Sequence, residues 1–495
     1  MSDEWRAPES VEDATTTGAR RPAARSRQSY ALRQATVLLG VLVIAAAVVA
    51  LVLSWGGDDD RPAVETPVVA VRGWDSVVLV DPVARQLIVS GRDGVETAGG
   101  STTLTGLLDI GLAGAVLIGT TGTPSIDGLG VVDLVTGRVE PLKVAHDRLV
   151  QLPGTTLLVA SDTAAATGGV QLVDVARRTT TALGPLAGVD AVILPDEVRA
   201  SPDGRHVAFT DLGRAMTVVL GVATGTTATV PGAVADLSTD RVATVTNRGS
   251  TVLVDLADLR GARLGTVEAP PVAGLLITGP TTAVAVVDNG AVLRLDFAEG
   301  TATETARLAP PTAPTSSSTT TTAGSAPSRP VVIDAGTVAA RQRIAVTLAA
   351  TVVLIDPTGV VAATIEAALP LPRLDSTHPG ARCIHVVGSA VEPSLVIDAA
   401  SGTALTAVPA GTLVARSADG CVTVVQALGS TGSTVVGREL ELEVGDPVLA
   451  VAADGSAIVL GGPRPRVVLL AEDPAEIDLP NGGTSGTFAR RDTPV

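Results

Sequence analysis

Residues 201–225 read SPDGRHVAFTDLGRAMTVVLGVATG. An Asp-Gly pair accepts the positive φ angles of a tight two-residue hairpin, so Asp203 and Gly204 mark a turn between two short strands. The later apolar run TVVL stops at Gly221, with Gly225 four residues on. A β-branched run that ends abruptly beside glycine is a strand entering a tight turn.

Both halves of this stretch return along the chain. The Asp-Gly turn recurs in SADGCVTVV (417–425) and AADGSAIVL (452–460). The strand that stops short recurs as SVVLVD, GVVDLVTG, VQLVD, TVLVD, VLRLD, TVVLID and SLVID, closed by Asp81, Asp133, Asp174, Asp255, Asp296, Asp356 and Asp398. With Gly221 in the same place, successive spacings are 52, 41, 47, 34, 41, 60 and 42. A period near 41 is that of a four-stranded propeller blade, so the chain is expected to be all-β, a β-propeller. Weaker copies near Arg438 and Asp473 bring the repeat units to ten. Seven or eight blades are the expected ring, so ten units imply shared blades or a large or divided ring. Each closing acid is read as a turn former whose carboxylate accepts backbone N–H groups, in preference to a calcium ligand.

The turn SPDGRHVAF resembles the repeat of bacterial TolB-type and WD40-like propellers, and VVDLVTGRV and LVIDAASGTAL resemble YVTN and quinoprotein-type repeats. The likeness spans residues 68–480. It implies a propeller and little about activity, because the architecture hosts binding, scaffolding and catalysis alike. Quinoprotein blades carry a Trp soon after the Gly of this motif and none of these copies does, which argues against a redox enzyme.

One segment leaves the β pattern. Residues 35–55, ATVLLGVLVIAAAVVALVLSW, carry no charge and as a helix would span about 30 Å, the thickness of a bilayer core. Arg20, Arg21, Arg25, Arg27 and Arg33 precede it and Asp58, Asp59 and Asp60 follow, so the positive-inside bias places residues 1–34 in the cytoplasm and exports the rest. A single transmembrane helix in the cytoplasmic membrane is therefore expected, with the bilayer as its partner. A cleaved signal peptide is the alternative, but the uninterrupted run of 17 residues from Val37 to Leu53 exceeds the usual length. Residues 1–34, 56–67 and 481–495 read as a disordered tail, a linker and a second disordered tail.

The Pro, Ser and Thr tract at 310–330 cannot bury apolar area and reads as a solvated loop. Removing its 21 residues brings the long spacing of 60 back to 39, so it is placed between two blades of one propeller.

Composition excludes more than it assigns. The net charge is −16, and the tail holds six Arg against five acids, leaving the remainder near −17. Nucleic acid binding, which needs cations to displace counterions, is not expected. The exported part has four aromatics, Trp74, Phe209, Phe297 and Phe488, which are read as core fillers rather than a stacking platform for sugars or bases. One lysine, Lys143, stands among 35 Lys and Arg, a skew of G+C-rich coding such as that of an actinobacterium.

Cys383 and Cys421, 38 residues apart, fall at equivalent places in adjacent blades. In an oxidising compartment they could form a disulfide, the alternative being two buried thiols. His378, Cys383 and His385 match no zinc spacing, and His146 and His206 are isolated, so no metal or cofactor is expected. No nucleophile elbow, HExxH, Walker loop or dinucleotide fingerprint is present, so no catalytic residue is assigned. The reading is a membrane-anchored extracytoplasmic propeller that binds or scaffolds an envelope protein and is not an enzyme. The alternative is a propeller-type enzyme or ligand binder with its site in the central channel.

Overall fold

A computed structural model describes residues 73–489, except 82, 103–105, 110–115, 120–128, 145, 147, 153–154, 163–168, 189–190, 309–331, 339–340, 368, 370–371, 376–381, 388–391, 428, 438–439, 472–473 and 481–484. The expected tail 1–34, membrane helix 35–55, linker 56–67 and tract 310–330 therefore lie outside the described residues. Among the described residues no helix is long and apolar enough to cross a membrane.

The described residues form ten four-stranded antiparallel sheets. Nine are built from consecutive strands and occupy 106–141, 148–182, 199–231, 233–269, 272–307, 334–366, 373–408, 412–444 and 448–478. They are called sheets 2 to 10. Sheet 1 joins the two ends of the ring: Ser76–Asp81, Gln86–Gly91 and Glu96–Ser101 pair in order, and Ser485–Ala489 supplies the inner strand through Leu79 opposite Gly486 and Val77 opposite Phe488. The repeats do not share blades, and the expectation of seven or eight is corrected to ten. The C-terminal boundary also moves, because Ser485–Ala489, assigned from sequence to a disordered tail, closes the first sheet. Its apolar residues are too few and too far along the chain from their partners to stand out as a strand.

The sheets pack face to face in a closed cycle, because each seam between neighbours holds its own apolar cluster. Val254 and Leu256 of sheet 5 meet Ala285 and Leu295 of sheet 6. Val284 and Val286 of sheet 6 meet Ile344 and Val346 of sheet 7, so the sheets flanking the Pro, Ser and Thr tract are direct neighbours. Val459 and Val467 of sheet 10 meet Val77 and Leu79 of sheet 1, which completes the ring. The middle strands carry most of this burial, as in His206–Asp211 and Met216–Gly221. Outer strands such as Thr301–Arg307 are almost wholly exposed. With so few aromatics, the seams are filled by Val, Leu, Ile and Ala, the β-branched Val and Ile suiting a pleated surface.

Antiparallel order fixes two faces. Turns from the inner to the second strand and from the third to the outer strand lie on one face; hairpins from second to third and crossovers between sheets lie on the other. The inner strands are bulged at Ala235, Ala273, Val414 and Leu449, where the ladder skips one residue.

Candidate functional site

Each of the repeated acids has a definite place. Asp133, Asp174, Asp296, Asp356 and Asp398 end or directly follow the third strand of sheets 2, 3, 6, 7 and 8. In all five, Oδ1 accepts backbone N–H groups two to four residues on, as from Val135 and Thr136 to Asp133 and from Ala298 and Glu299 to Asp296. Asp81 makes the same turn, accepting from Val83 and Ala84, but it closes the second strand of sheet 1 and so lies on the opposite face. Asp255 departs from the expected role. It is buried inside the strand Thr251–Asp258, accepts a hydrogen bond from Thr266 Oγ1 and pairs with Arg263 at 3.3 Å. The strand runs three residues further than its acid suggests, and Asp258 takes the turn by accepting from Arg260 and Ala262.

The electrostatics follow from these bonds. The N–H groups of Thr136 and Val135 hold the Asp133 carboxyl below its usual range. Burial pushes Asp356 and Asp398 up, but hydrogen bonds outweigh it, from Thr358 and Val360 in one case and from Ser401, Ala400 and Arg382 in the other, so both also lie below the usual range.

Turns between inner and second strands repeat a second device. Ser201 Oγ donates to Asp203 Oδ1 at 2.6 Å and accepts from the His206 N–H at 2.9 Å. Ser417 does the same with Asp419 and Val422, at 2.5 and 2.9 Å. These polar residues are spent on shaping their own turns.

The four aromatics of the ring are all buried. Trp74 and Phe488 pack with centroids 4.9 Å apart and ring planes tilted by 57°, and Arg92 lies 5.0 Å over the Trp74 ring. Trp74 Nε1 also donates to Ser456 Oγ, tying the first sheet to the tenth.

Cys383 and Cys421 form a disulfide between sheets 8 and 9, with Cα atoms 5.0 Å apart. The amides of Arg382 and Cys383 both donate to the Asp419 carbonyl, at 3.1 and 2.9 Å. Gly420, at φ +76°, lies so near the Cys383 carbonyl that a Cβ would stand 2.5 Å from it. Beside this seam is a cleft of about 690 Å³ walled by Arg382, Asp419, Cys421, Leu440, Asp454 and Leu470, among others. Arg382 is turned toward Asp398 at 3.2 Å, and Asp419 and Asp454 serve their own turns, so among the described residues the cleft presents no convergent acid, base and nucleophile. Among the described residues no three His, Cys, Asp or Glu side chains come together as metal ligands. His385 is buried in its strand with Nε2 2.7 Å from Ser394 Oγ, and His378 lies outside the described residues.

Sequence reasoning missed the acids of the inner strands. Asp236 of sheet 5 accepts the Ile277 N–H of sheet 6 and pairs with Arg341 of sheet 7, both side chains nearly buried. Arg341 also donates to the Leu237 carbonyl. Asp334 of sheet 7 accepts the Leu374 N–H of sheet 8. An acid breaking an otherwise apolar inner strand, as in AVADL, is the signal that could have found them.

No family model and no curated protein matches the chain. Solved structures with similarity include BamB from Moraxella catarrhalis, 12% identical, covering 64% of this chain and 93% of that one at a TM-score of 0.38. A eukaryotic initiation factor is 12% identical over 75% of this chain and 96% of that one, at 0.46. The β-propeller domain of Swd1 (Cps50) from Myceliophteria thermophila is 14% identical over 54% and 92%, at 0.33. The ring rests on the chain's own sheet order and seams.

Proposed function

We propose that this protein is a single-pass membrane protein whose ten-sheet ring lies outside the cytoplasmic membrane and serves as a protein-binding scaffold of the cell envelope. The observation that carries the location is the Cys383–Cys421 disulfide, a bond that persists in oxidising compartments and is rare in reducing ones. The uncharged run at 35–55 and the arginines before it supply the anchor and its orientation.

The scaffold reading rests on how polar chemistry is distributed. The turn carboxylates are committed to backbone N–H groups, while one seam turns apolar side chains outward. At the junction of sheets 3 and 4, Val192, Leu194 and Leu212 are 51%, 47% and 44% exposed. Val192 and Leu212 are held together by the Leu212 N–H donating to the Val192 carbonyl and the Val192 N–H donating to Asp211 Oδ1, and Leu194 follows two residues after Val192. Large exposed apolar side chains gathered in one place mark protein contact surfaces. In this reading the ring binds and does not catalyse.

Crosslinking in native membranes tests it. A specific envelope protein should be recovered with the wild-type chain and lost with Leu212→Glu. Recovery unchanged by that substitution moves the contact elsewhere, and recovery of no specific protein removes the scaffold reading. Reporter fusions after residues 34 and 495 test the topology, which predicts opposite sides of the membrane.

A further inference from the structure

We infer that the seam between sheets 8 and 9 is the gate of the ring, held shut by the Cys383–Cys421 disulfide and opened by a dithiol reductant. Three observations converge there. The first is how little apolar packing joins the two sheets. Among the described residues the cluster at this seam consists of Val396, Val408, Val425, Val436 and the two cysteines, whereas the seam between sheets 5 and 6 buries fourteen residues including Phe297. Apolar burial is the main force joining neighbouring sheets, so the seam with the smallest cluster separates first.

The second is where the bond is attached. Cys421 follows the Ser417–Asp419–Gly420 turn directly, and Cys383 opens the second strand of sheet 8. The bond fastens this turn to the next sheet, alongside two amides that share one acceptor, the Asp419 carbonyl. Two N–H groups on a single carbonyl are a weak substitute for a covalent link, so the cystine carries this attachment.

The third is access. Both cysteines are buried, at 3% and 4%, yet Cys421 belongs to the wall of the 690 Å³ cleft. A small thiolate entering the cleft attacks one sulfur and forms a mixed disulfide, and the released cysteine takes a proton. The second thiol of the reductant then displaces the other cysteine, which is protonated in turn. Two electrons pass from the dithiol, which leaves as a cyclic disulfide, to the cystine. The turn at 417–422 then keeps its own Ser417 and Asp419 hydrogen bonds and the amides of Arg382 and Cys383 on the Asp419 carbonyl but loses its covalent tie to sheet 8, and the cleft wall that it forms loosens with it.

The test uses the full chain in detergent under native conditions, with dithiothreitol as the dithiol. Thiol labelling should show two reactive cysteines per chain without denaturant. Hydrogen exchange at the amides of Cys383, Cys421 and Val422 should accelerate at least tenfold, while amides of residues 252–256 in sheet 5 keep their rates. A Cys383→Ala, Cys421→Ala double variant should show the same fast exchange with no reductant and no further response to it. Thiols that become reactive only after the whole ring unfolds, or release of both thiols without faster exchange at 417–422, would overturn the gate and leave the bond a static staple.

Discussion

Sheet 5 and sheet 1 bury similar side chains by opposite routes. Sheet 5 is local: Arg241–Arg248 pairs with Thr251–Asp258 across a short turn, and its other strands follow in order. Sheet 1 borrows its inner strand, Ser485–Ala489, from the far end of the chain. A hairpin forms with little loop-closure cost, whereas the borrowed strand docks only when the other nine sheets have brought the chain round. Sheet 1 therefore reports whether the ring is closed, and sheet 5 reports only on itself.

The sharpest way to break this comparison is to delete residues 485–489. Thermal unfolding should lose its single cooperative transition, while circular dichroism keeps most of the strand signal. One unchanged transition would mean that the ring does not depend on the borrowed strand. Phe488→Ala should cost about 3–5 kcal/mol in denaturant unfolding, since it removes the ring packed against Trp74 at 4.9 Å. Leu256→Ala, buried at the seam of sheets 5 and 6, should cost about 2–4 kcal/mol. It should raise hydrogen exchange around sheet 5 and leave sheet 1 protected.

Smaller effects sharpen the role of the turns. Asp296→Ala removes the acceptor for Ala298 and Glu299 and should cost about 0.5–1 kcal/mol, read as a shift in denaturant midpoint. The acid dependence has a definite sign. Asp133, Asp356 and Asp398 bind protons less readily folded than unfolded. Their stabilisation is thus fully present above the ordinary carboxylate value, about pH 4, and is lost as pH falls below it through the depressed folded values. Denaturant midpoints measured from pH 6 down to 2 should fall in that window, and the triple Asn variant should fall less steeply.

How much was legible follows from which forces are local. The period of the repeat and the turn chemistry of Asp133 or Asp203 are written within a few residues, and they identified a ring of four-stranded blades. Blade number is written in the ten countable units, each of which is a sheet of its own, and not in usual ring sizes. The strand at 485–489 was invisible because its partner, Val77, stands at the other end of the chain. Asp255 misled because an acid within a strand and an acid ending one look alike until the register places Thr266 opposite it. The pair of Asp236 and Arg341 was illegible for the same reason: it joins sheets 5 and 7, and no local pattern announces a partner that distant.

The skipped residues of the ladders have a consequence for how this protein behaves in a crowd. A ring of ten separate sheets exposes an edge at both ends of every sheet, and straight edges recruit strands from other chains. Here the inner edges of sheets 5, 6, 9 and 10 are kinked at Ala235, Ala273, Val414 and Leu449. The outer ladders of sheets 1, 5, 6, 7 and 8 shift register as well. A kinked edge presents its N–H and C=O groups out of step with any incoming strand, so these rings can be packed densely without zipping together.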